Sequence, residues 1–288
     1  MTSSSVKYDF TVDLSDRSTS HSLLHHLVAD EGKAGMQILE VGCSSGYIGA
    51  TLAAKGHRVT GVELDPVAAK AASSVLYEVH AGDAESFFAQ HPDRRYDAIV
   101  LGDVLEHMVD PVATLRLCVA HLVDGGAAAI SLPCVTHGSV RAMLLEGRWD
   151  YADYGLLDRT HLRFFSHNDV AELLSAAGLR IDRLHATMLS IETASQEYGM
   201  ALRPQSMAAV ETLADDDALL DFQYVALARP ERSGIAADAL LTQNLAVPVQ
   251  RAPRPRRPGD KSSAQRLRIW LMKALLARIA RRRYRGFA

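Results

Sequence analysis

Apolar residues fall in short runs that alternate with helix-period stretches through the first 130 positions or so of the chain. Residues 37–41, 58–62, 76–80, 96–101 and 127–131 are strand-length apolar runs flanked by turn-forming residues, and they read as strands. Between them, residues 47–55, 66–74 and 111–122 carry helical patterns, the last ending ahead of Gly125 and Gly126. Pro66 and Pro111 each follow an Asp, the order of a capping residue and a first-turn proline. This alternation predicts βαβ units and a parallel sheet, preceded by a helix over 21–29.

The rhythm breaks at residues 134–165, a segment crowded with aromatic and charged side chains, where a substrate-covering lobe is expected. A helix over 168–177 ends at Gly178, and residues 179–187 and 222–228 read as the last two strands around a polar, partly helical insertion at about 188–221. The expected organisation is a lead-in and helix at 1–36, a catalytic-type α/β domain at 37–230 and a flexible, proline-stiffened linker at 231–262. A basic amphipathic helix at 263–288 completes it.

Composition adds limits. With 288 residues and 48% hydrophobic content, the chain can bury a sizeable core. No apolar run reaches the roughly 20 residues needed to span a bilayer. Cys43, Cys118 and Cys134 are too few and too scattered for a disulfide framework or a zinc pattern, which points to a reduced, cytoplasmic protein.

The net charge of -3 hides an asymmetry: residues 251–288 hold 13 of the 31 Lys and Arg and one of the 34 Asp and Glu. There Leu267, Trp270, Leu271, Ala274, Leu275 and Ile279 form an apolar stripe among arginines and lysines. That pattern suits peripheral contact with anionic lipid at the inner face of a membrane. Docking on the acidic body of the protein or nonspecific nucleic-acid contact are the alternatives, and specific nucleic-acid recognition is not expected.

The chemistry begins at Ile38-Leu-Glu-Val-Gly-Cys-Ser-Ser-Gly46, a glycine-rich turn placed directly after a strand. Its glycines allow close approach of a ligand, and the next helix opens with unpaired N–H groups. A dinucleotide fingerprint would carry glycine where Ser44 stands, and Glu40 would repel a pyrophosphate. The carboxylate instead suits a ligand bearing an amino group and a sulfonium. Glu63 then ends the second strand, where it can accept ribose hydroxyls. Gly82-Asp83-Ala84 follows the third, and Asp103 follows the fourth. Each acid is equally able to cap a helix.

The motif resembles the first motif of class I S-adenosylmethionine-dependent methyltransferases. The pattern from Tyr8 through Phe165, including Tyr154-Gly-Leu-Leu-Asp-Arg-Thr-His-Leu-Arg-Phe-Phe165, is similar to bacterial ubiquinone-methylase-like proteins, some joined to glycosyltransferases. The resemblance implies a Rossmann-like seven-stranded, mostly parallel sheet with an antiparallel last strand. It also implies a site for S-adenosyl-L-methionine at Tyr8, Glu40, Gly42, Cys43, Ser44, Gly46, Tyr47, Glu63, Leu64, Asp65, Gly82, Asp83, Ala84 and Asp103.

Methyl transfer from a sulfonium is an in-line displacement, so the protein aligns donor and acceptor and removes the acceptor's proton. Deprotonating a phenol with a histidine in advance costs about 5 kcal/mol, from reference values near 10 and 6.5, and an aliphatic hydroxyl costs more. A base or a metal is therefore called for. The candidates are His107 in Asp103-Val-Leu-Glu106-His107, and His161. If the first run is helical, Asp103, Glu106 and His107 share a face. With His161 they resemble the divalent-ion site of small-RNA 2'-O-methyltransferases, which implies Mg2+ held by Asp103, Glu106, His107 and His161. The alternative is that Glu106 and His107 only support the loop and His161 alone is the base.

Trp149, Tyr151, Tyr154, Phe164 and Phe165 form either an aromatic lid or plain packing, and Arg148, Arg159 and Arg163 either bind an anionic substrate or pair with nearby acids. The reading is an O-methyltransferase acting on a hydroxyl of a glycan, glycolipid or ring-containing secondary metabolite. N- or C-methylation of a small molecule and a noncatalytic membrane- or RNA-binding role stand beside it.

Overall fold

The computed structural model describes residues 10–212 and 217–251. Tyr8 and the basic amphipathic segment 263–288 lie outside the described residues.

Eight strands make one sheet: β1 (Gln37–Val41), β2 (Arg58–Glu63), β3 (Glu78–Ala81), β4 (Tyr96–Gly102), β5 (Leu122–Pro133), β6 (Leu179–Met188), β7 (Asp221–Pro230) and β8 (Val249–Arg251). Their order is β3-β2-β1-β4-β5-β7-β6-β8. The pairs among β1 to β5 are parallel, β7 runs antiparallel to both β5 and β6, and β8 pairs in parallel with β6. The antiparallel seventh strand agrees with expectation. The count of eight strands corrects the expected seven.

Among the described residues ten α-helices pack with the sheet. On one face lie α1 (Ser20–Ala29), α2 (Tyr47–Ala53) and α3 (Pro66–Ala72), and on the other α4 (Ala84–Gln90), α5 (Pro111–Ala120) and α7 (His167–Ala176). Along β1 and β4 the side chains alternate between these two cores. Ile38, Ala98 and Val100 join the α1–α2 side, and Leu39, Val41, Ile99 and Leu101 join the α4–α5–α7 side. Both faces are covered, so these strands read as nearly unbroken apolar runs. Capping follows the sequence signals: Asp65 and Asp110 accept from the N–H groups of Val67 and Ala113 ahead of Pro66 and Pro111.

A third core lies over the sheet's end and joins α6 (Gly138–Leu145), α8 (Ile191–Glu197) and α9 (Pro204–Glu211) through Met143, Leu157, Ile191 and Val210. Residues 134–165 thus contain a helix where the sequence shows no period. His137 starts it: Nδ1 accepts from Ser139 N–H at 3.1 Å, and Nε2 lies 2.8 Å from the Leu189 carbonyl.

The expected linker over 231–262 is corrected in its first part by α10 (Ala237–Leu245) and β8. Asn244 is fully buried, accepts from Ile181 N–H at 2.8 Å and donates to Ser175 Oγ and Leu179 O, both at 2.9 Å. Arg251 donates two hydrogen bonds to the buried Asp221 carboxylate at 2.9 and 3.0 Å. These long-range partners order a stretch whose local composition is that of a linker.

Candidate active site

The sheet order sets the carboxyl ends of β2, β1 and β4 side by side, the crevice where open α/β sheets take ligands. Over this crevice the turn after β1 puts Gly42 (φ +70°), Ser44 (φ +49°) and Gly46 (φ +81°) in the left-handed region. A Cβ on Gly42 would also lie 2.2 Å from Val104 Cγ2, so glycine is required there twice over.

Glu63 ties this turn to the next. Its carboxylate accepts from Ser44 N–H at 2.7 Å through one oxygen and from Asp65 N–H at 2.8 Å through the other. Each oxygen keeps a lone pair for a ligand hydroxyl. Leu64 beside it is 73% exposed, and Asp65 caps α3.

Glu40 is buried beneath the turn and accepts from Gly49 N–H at 3.0 Å. Burial pushes its carboxyl up to about 8, with the nearby Glu63 adding to the shift against the opposing Gly49 bond. The Cys43 side chain points into the core against Gly61, so only its backbone belongs to the turn. Tyr47 opens α2 and meets His21 and Phe10 ring to ring at 5.0 and 5.5 Å. After β3, Gly82 is hydrogen-bonded to Glu63 O, and Asp83 caps α4, ahead of Ala84, by accepting from Ser86 N–H at 2.6 Å.

At the end of β4, Asp103 adopts φ +53° and so does not share a helical face with Glu106 and His107; only Leu105–His107 form a short 3-10 turn. Its carboxylate accepts from Ser131 Oγ at 2.8 Å and Gln223 Nε2 at 2.9 Å. The four-residue metal set is therefore corrected to three: among the described residues Glu106, His107 and His161 bring one ligand atom each to within 4.8 Å of one another, and Asp103 is not in that group.

Two backbone bonds unite these sequence-distant residues, because Leu162 and Arg163 both donate to the Glu106 carbonyl, at 2.8 and 3.1 Å. The Glu106 side chain is 1% exposed; Oε1 lies 4.0 Å from His161 Nε2, and Oε2 has no hydrogen-bond partner. Burial first, and the Asp103 charge second, hold its carboxyl well above the ordinary carboxylate range. His161 Nδ1 lies 3.2 Å from the Leu156 carbonyl, which fixes that nitrogen as the donor and leaves the lone pair on Nε2. His107 is set the same way, with Nδ1 3.1 Å from Thr160 O. Burial, reinforced by His107, lowers the His161 imidazole below its usual value, which favours the neutral ring.

From these rings a string of aromatics runs outward, with centroid spacings of 4.9 Å for His107–His161, 6.2 Å for His161–Phe164, 5.2 Å for Phe164–Trp149 and 6.4 Å for Trp149–Tyr151. Phe165 is instead buried in the core. Arg148 pairs with Asp150 and Glu146, Arg159 with Asp153, and Arg163 donates to the Val109 carbonyl. The neighbours of Asp103, namely Ser20, His21, Ser131 and Gln223, carry no sequence signal, since they lie up to 120 positions away.

The chain matches a family model described as a methyltransferase domain over residues 15–184. Ubiquinone biosynthesis O-methyltransferase of Aromatoleum aromaticum is 34% identical over 106 residues, 35% of this chain and 45% of that protein. The enzyme of the same name from Xanthomonas campestris pv. campestris is 29% identical over 147 residues, 46% of this chain and 61% of that protein. The matches thus span about half to three fifths of these relatives.

Among solved structures, the O-methyltransferase of a trans-AT PKS multienzyme of Brevibacillus brevis, in complex with S-adenosyl-L-homocysteine, is similar at TM-score 0.52 and 12% identity, over 81% of this chain and 78% of that one. A SAM-dependent methyltransferase from Archaeoglobus fulgidus gives 0.51 and 17%, over 73% and 94%. The fold is a Rossmann-like one, a mostly parallel sheet with an antiparallel strand toward one edge. The chain belongs to the methyltransferase domain family.

Proposed function

We propose that the protein is an O-methyltransferase that uses S-adenosyl-L-methionine and acts on a hydroxyl of a glycan, glycolipid or ring-containing secondary metabolite. The observation that carries this reading is the Glu106–His107–His161 cluster, in which two imidazoles present basic Nε2 atoms beside a buried carboxyl. N- or C-methylation gives such a cluster less to do.

The donor fits the residues of the crevice. Glu63 has lone pairs for two ribose hydroxyls, Leu64 offers apolar surface for the base, and the Gly42–Gly46 turn admits close approach of the ligand. When bound, the donor supplies an electrophilic methyl group. The chain's own residues align the acceptor and take its proton. His107, half-buried, is the imidazole that an acceptor meets first, while the His161 side chain is only 7% exposed and backs it. The ring string from Phe164 to Tyr151 excludes water above them and offers stacking surface for a ring-bearing acceptor.

Glu106, His107 and His161 also form a donor set for a divalent cation, whose chemistry would be to acidify the acceptor hydroxyl. Two imidazoles and one carboxylate favour ions such as Mn2+, Fe2+ or Zn2+ over the Mg2+ implied by resemblance. The basic segment 263–285 is read as peripheral contact with anionic lipid on the cytoplasmic side, which suits a lipid-linked acceptor. No helix among the described residues is long and apolar enough to cross a membrane.

Calorimetric titration with S-adenosylhomocysteine, NAD and Mn2+ tests this reading. The expected result is binding of the nucleoside in the micromolar range, no binding of NAD, and Mn2+ binding that is lost in Glu106→Gln. Binding of NAD alone overturns the methyltransferase reading, and Mn2+ binding unchanged in Glu106→Gln removes the metal from it.

A further inference from the structure

A single turn sets both imidazoles of the histidine cluster. His161 Nδ1 lies 3.2 Å from the Leu156 carbonyl and His107 Nδ1 lies 3.1 Å from the Thr160 carbonyl. The two acceptors stand on either side of Asp158 in the run Leu156-Leu-Asp-Arg-Thr160. A carbonyl oxygen only accepts, so each ring keeps its proton on the nitrogen that faces one. The direction in which these two peptide groups point therefore decides the tautomer of both histidines.

Asp158 holds the turn from inside and is 2% exposed. Its N–H donates to the Gly155 carbonyl at 3.1 Å, and its carbonyl accepts from the His161 N–H at 2.9 Å. In a trans peptide the C=O and N–H point in opposite directions, so the bond from His161 N–H to Asp158 O turns the Thr160 carbonyl outward, towards His107. The Asp158 side chain secures the same residue: Oδ1 accepts from Thr160 N–H at 2.9 Å and from Thr160 Oγ1 at 2.7 Å. The turn stands on firm ground at both ends. Leu156 and Leu157 are buried in the third core, and Gly155 (φ +92°) packs on Tyr198, where a Cβ would lie 2.4 Å from Cδ1. At the other end, Leu162 and Arg163 are tied to the Glu106 carbonyl.

We propose that Asp158 is the positioning residue that fixes His107 and His161 together as Nδ1–H tautomers and so keeps both Nε2 lone pairs free, a reading that rests on the histidine cluster proposed above. It acts through the peptide groups of the turn and not on the reacting atoms. Without its carboxylate the Thr160 peptide is free to rotate, and the rings relax towards Nε2–H, the form an unconstrained imidazole prefers. A ring protonated at Nε2 takes neither a proton nor a cation at that atom. An Asn at position 158 keeps an oxygen that accepts from Thr160, so the position supplies geometry and not charge.

The test reads the ring tautomers by long-range proton–nitrogen NMR correlations on the full-length protein at about pH 8, where a histidine of ordinary value near 6.5 is neutral. The signals lost in His107→Asn and His161→Asn assign the two rings. Wild type is compared with Asp158→Ala, Asp158→Asn and Thr160→Val, the last replacing only a hydroxyl at an exposed position. The expected result is Nδ1–H rings in wild type and, in Asp158→Ala, a fall of about fivefold or more in the ratio of Nδ1–H to Nε2–H at His107, the scale of one hydrogen bond. Smaller falls are expected at His161 and in Thr160→Val. Asp158→Asn restores the wild-type ratio, and S-adenosylhomocysteine affinity stays within about twofold throughout. If thermal melting shows Asp158→Ala unfolded, Thr160→Val decides. Nε2–H rings in wild type, or unchanged ratios in the folded variants, overturn the proposal. So does a nucleoside affinity that falls in step with the ratios, the mark of a general loosening. A wild-type protein that binds no S-adenosylhomocysteine overturns the donor site, while the tautomers still decide the role of Asp158.

Discussion

Glu40 under the donor turn and Glu106 under the aromatic lobe are both buried glutamates with raised carboxyl pKa values, yet their surroundings differ. Glu40 accepts from Gly49 N–H one turn along the chain's own next helix, a local contact that closes the turn onto α2. Glu106 leaves Oε2 without a partner and faces two imidazoles brought from opposite ends of a 54-residue excursion. A buried polar atom without a partner costs on the order of 1–3 kcal/mol, so such an atom is kept where a ligand, an ion or a proton answers it. The first glutamate is explained by the fold. The second has a buried oxygen that no hydrogen bond among the described residues answers.

The largest expected effect separates the two. Glu106→Gln lowers methyl-transfer turnover by about 10²- to 10⁴-fold, the range of general acid–base assistance, while melting temperature is unchanged or raised and S-adenosylhomocysteine affinity stays within about twofold. Turnover equal to wild type would make Glu106 structural like Glu40 and erase the contrast.

Next in size is a test of the tight side. A Cβ on Gly49 would lie 2.4 Å from Glu40 Oε2 and 2.8 Å from Leu76 Cδ2. Gly49→Ala is therefore expected to destabilise the protein by about 1–3 kcal/mol in urea unfolding, the usual cost of overpacking. A loss under about half a kcal/mol would mean that the donor turn is as loosely supported as the lobe floor.

The smallest effects are slopes with pH. Glu40 has a folded value near 8 against 4.5, so its neutral form favours the fold, and the stability it contributes declines as pH rises from about 4.5 to about 8. His25 and His137, lowered to about 4 by burial, act oppositely. Their contribution is complete above about 6.5 and declines as pH falls towards about 4. Each group adds at most about 1.4 kcal/mol per pH unit. Urea midpoints from pH 4 to 9 should show Glu40→Gln losing less stability than wild type as pH rises from about 4.5 to about 8, with the opposing histidine slope below about 6.5 retained. Parallel curves for the two proteins would show that Glu40 is already ionised at neutral pH.

The donor half was legible because its signals are local. A glycine turn after an apolar strand, proline after aspartate and an acid at the end of each strand all act within a few residues, and β1, β2, β4, α3 and α5 appear close to where the pattern puts them. Four short elements were not: α4, α6, α10 and β8 lack a clear period, and three-residue β8 exists through its pairing with β6 and through Arg251 on Asp221. The run from Asp103 to His107 would share one face only as a helix. The left-handed Asp103 splits it, turning the acid towards Ser131 and Gln223 and leaving Glu106 and His107 to meet His161.

By itself the sequence determined the alternation of strands and helices, the glycine-rich turn with its acids, and the candidacy of the two histidines, since periodicity, turn conformation and capping are properties of neighbours along the chain. Tertiary structure alone decided which carboxylates were answered by backbone N–H groups and which were not, that Asp103 leaves the histidine cluster, and that His21 and Gln223 gather around it. Burial and long-range hydrogen bonds are properties of neighbours in space, and around Asp103 they join residues separated by as many as 120 positions.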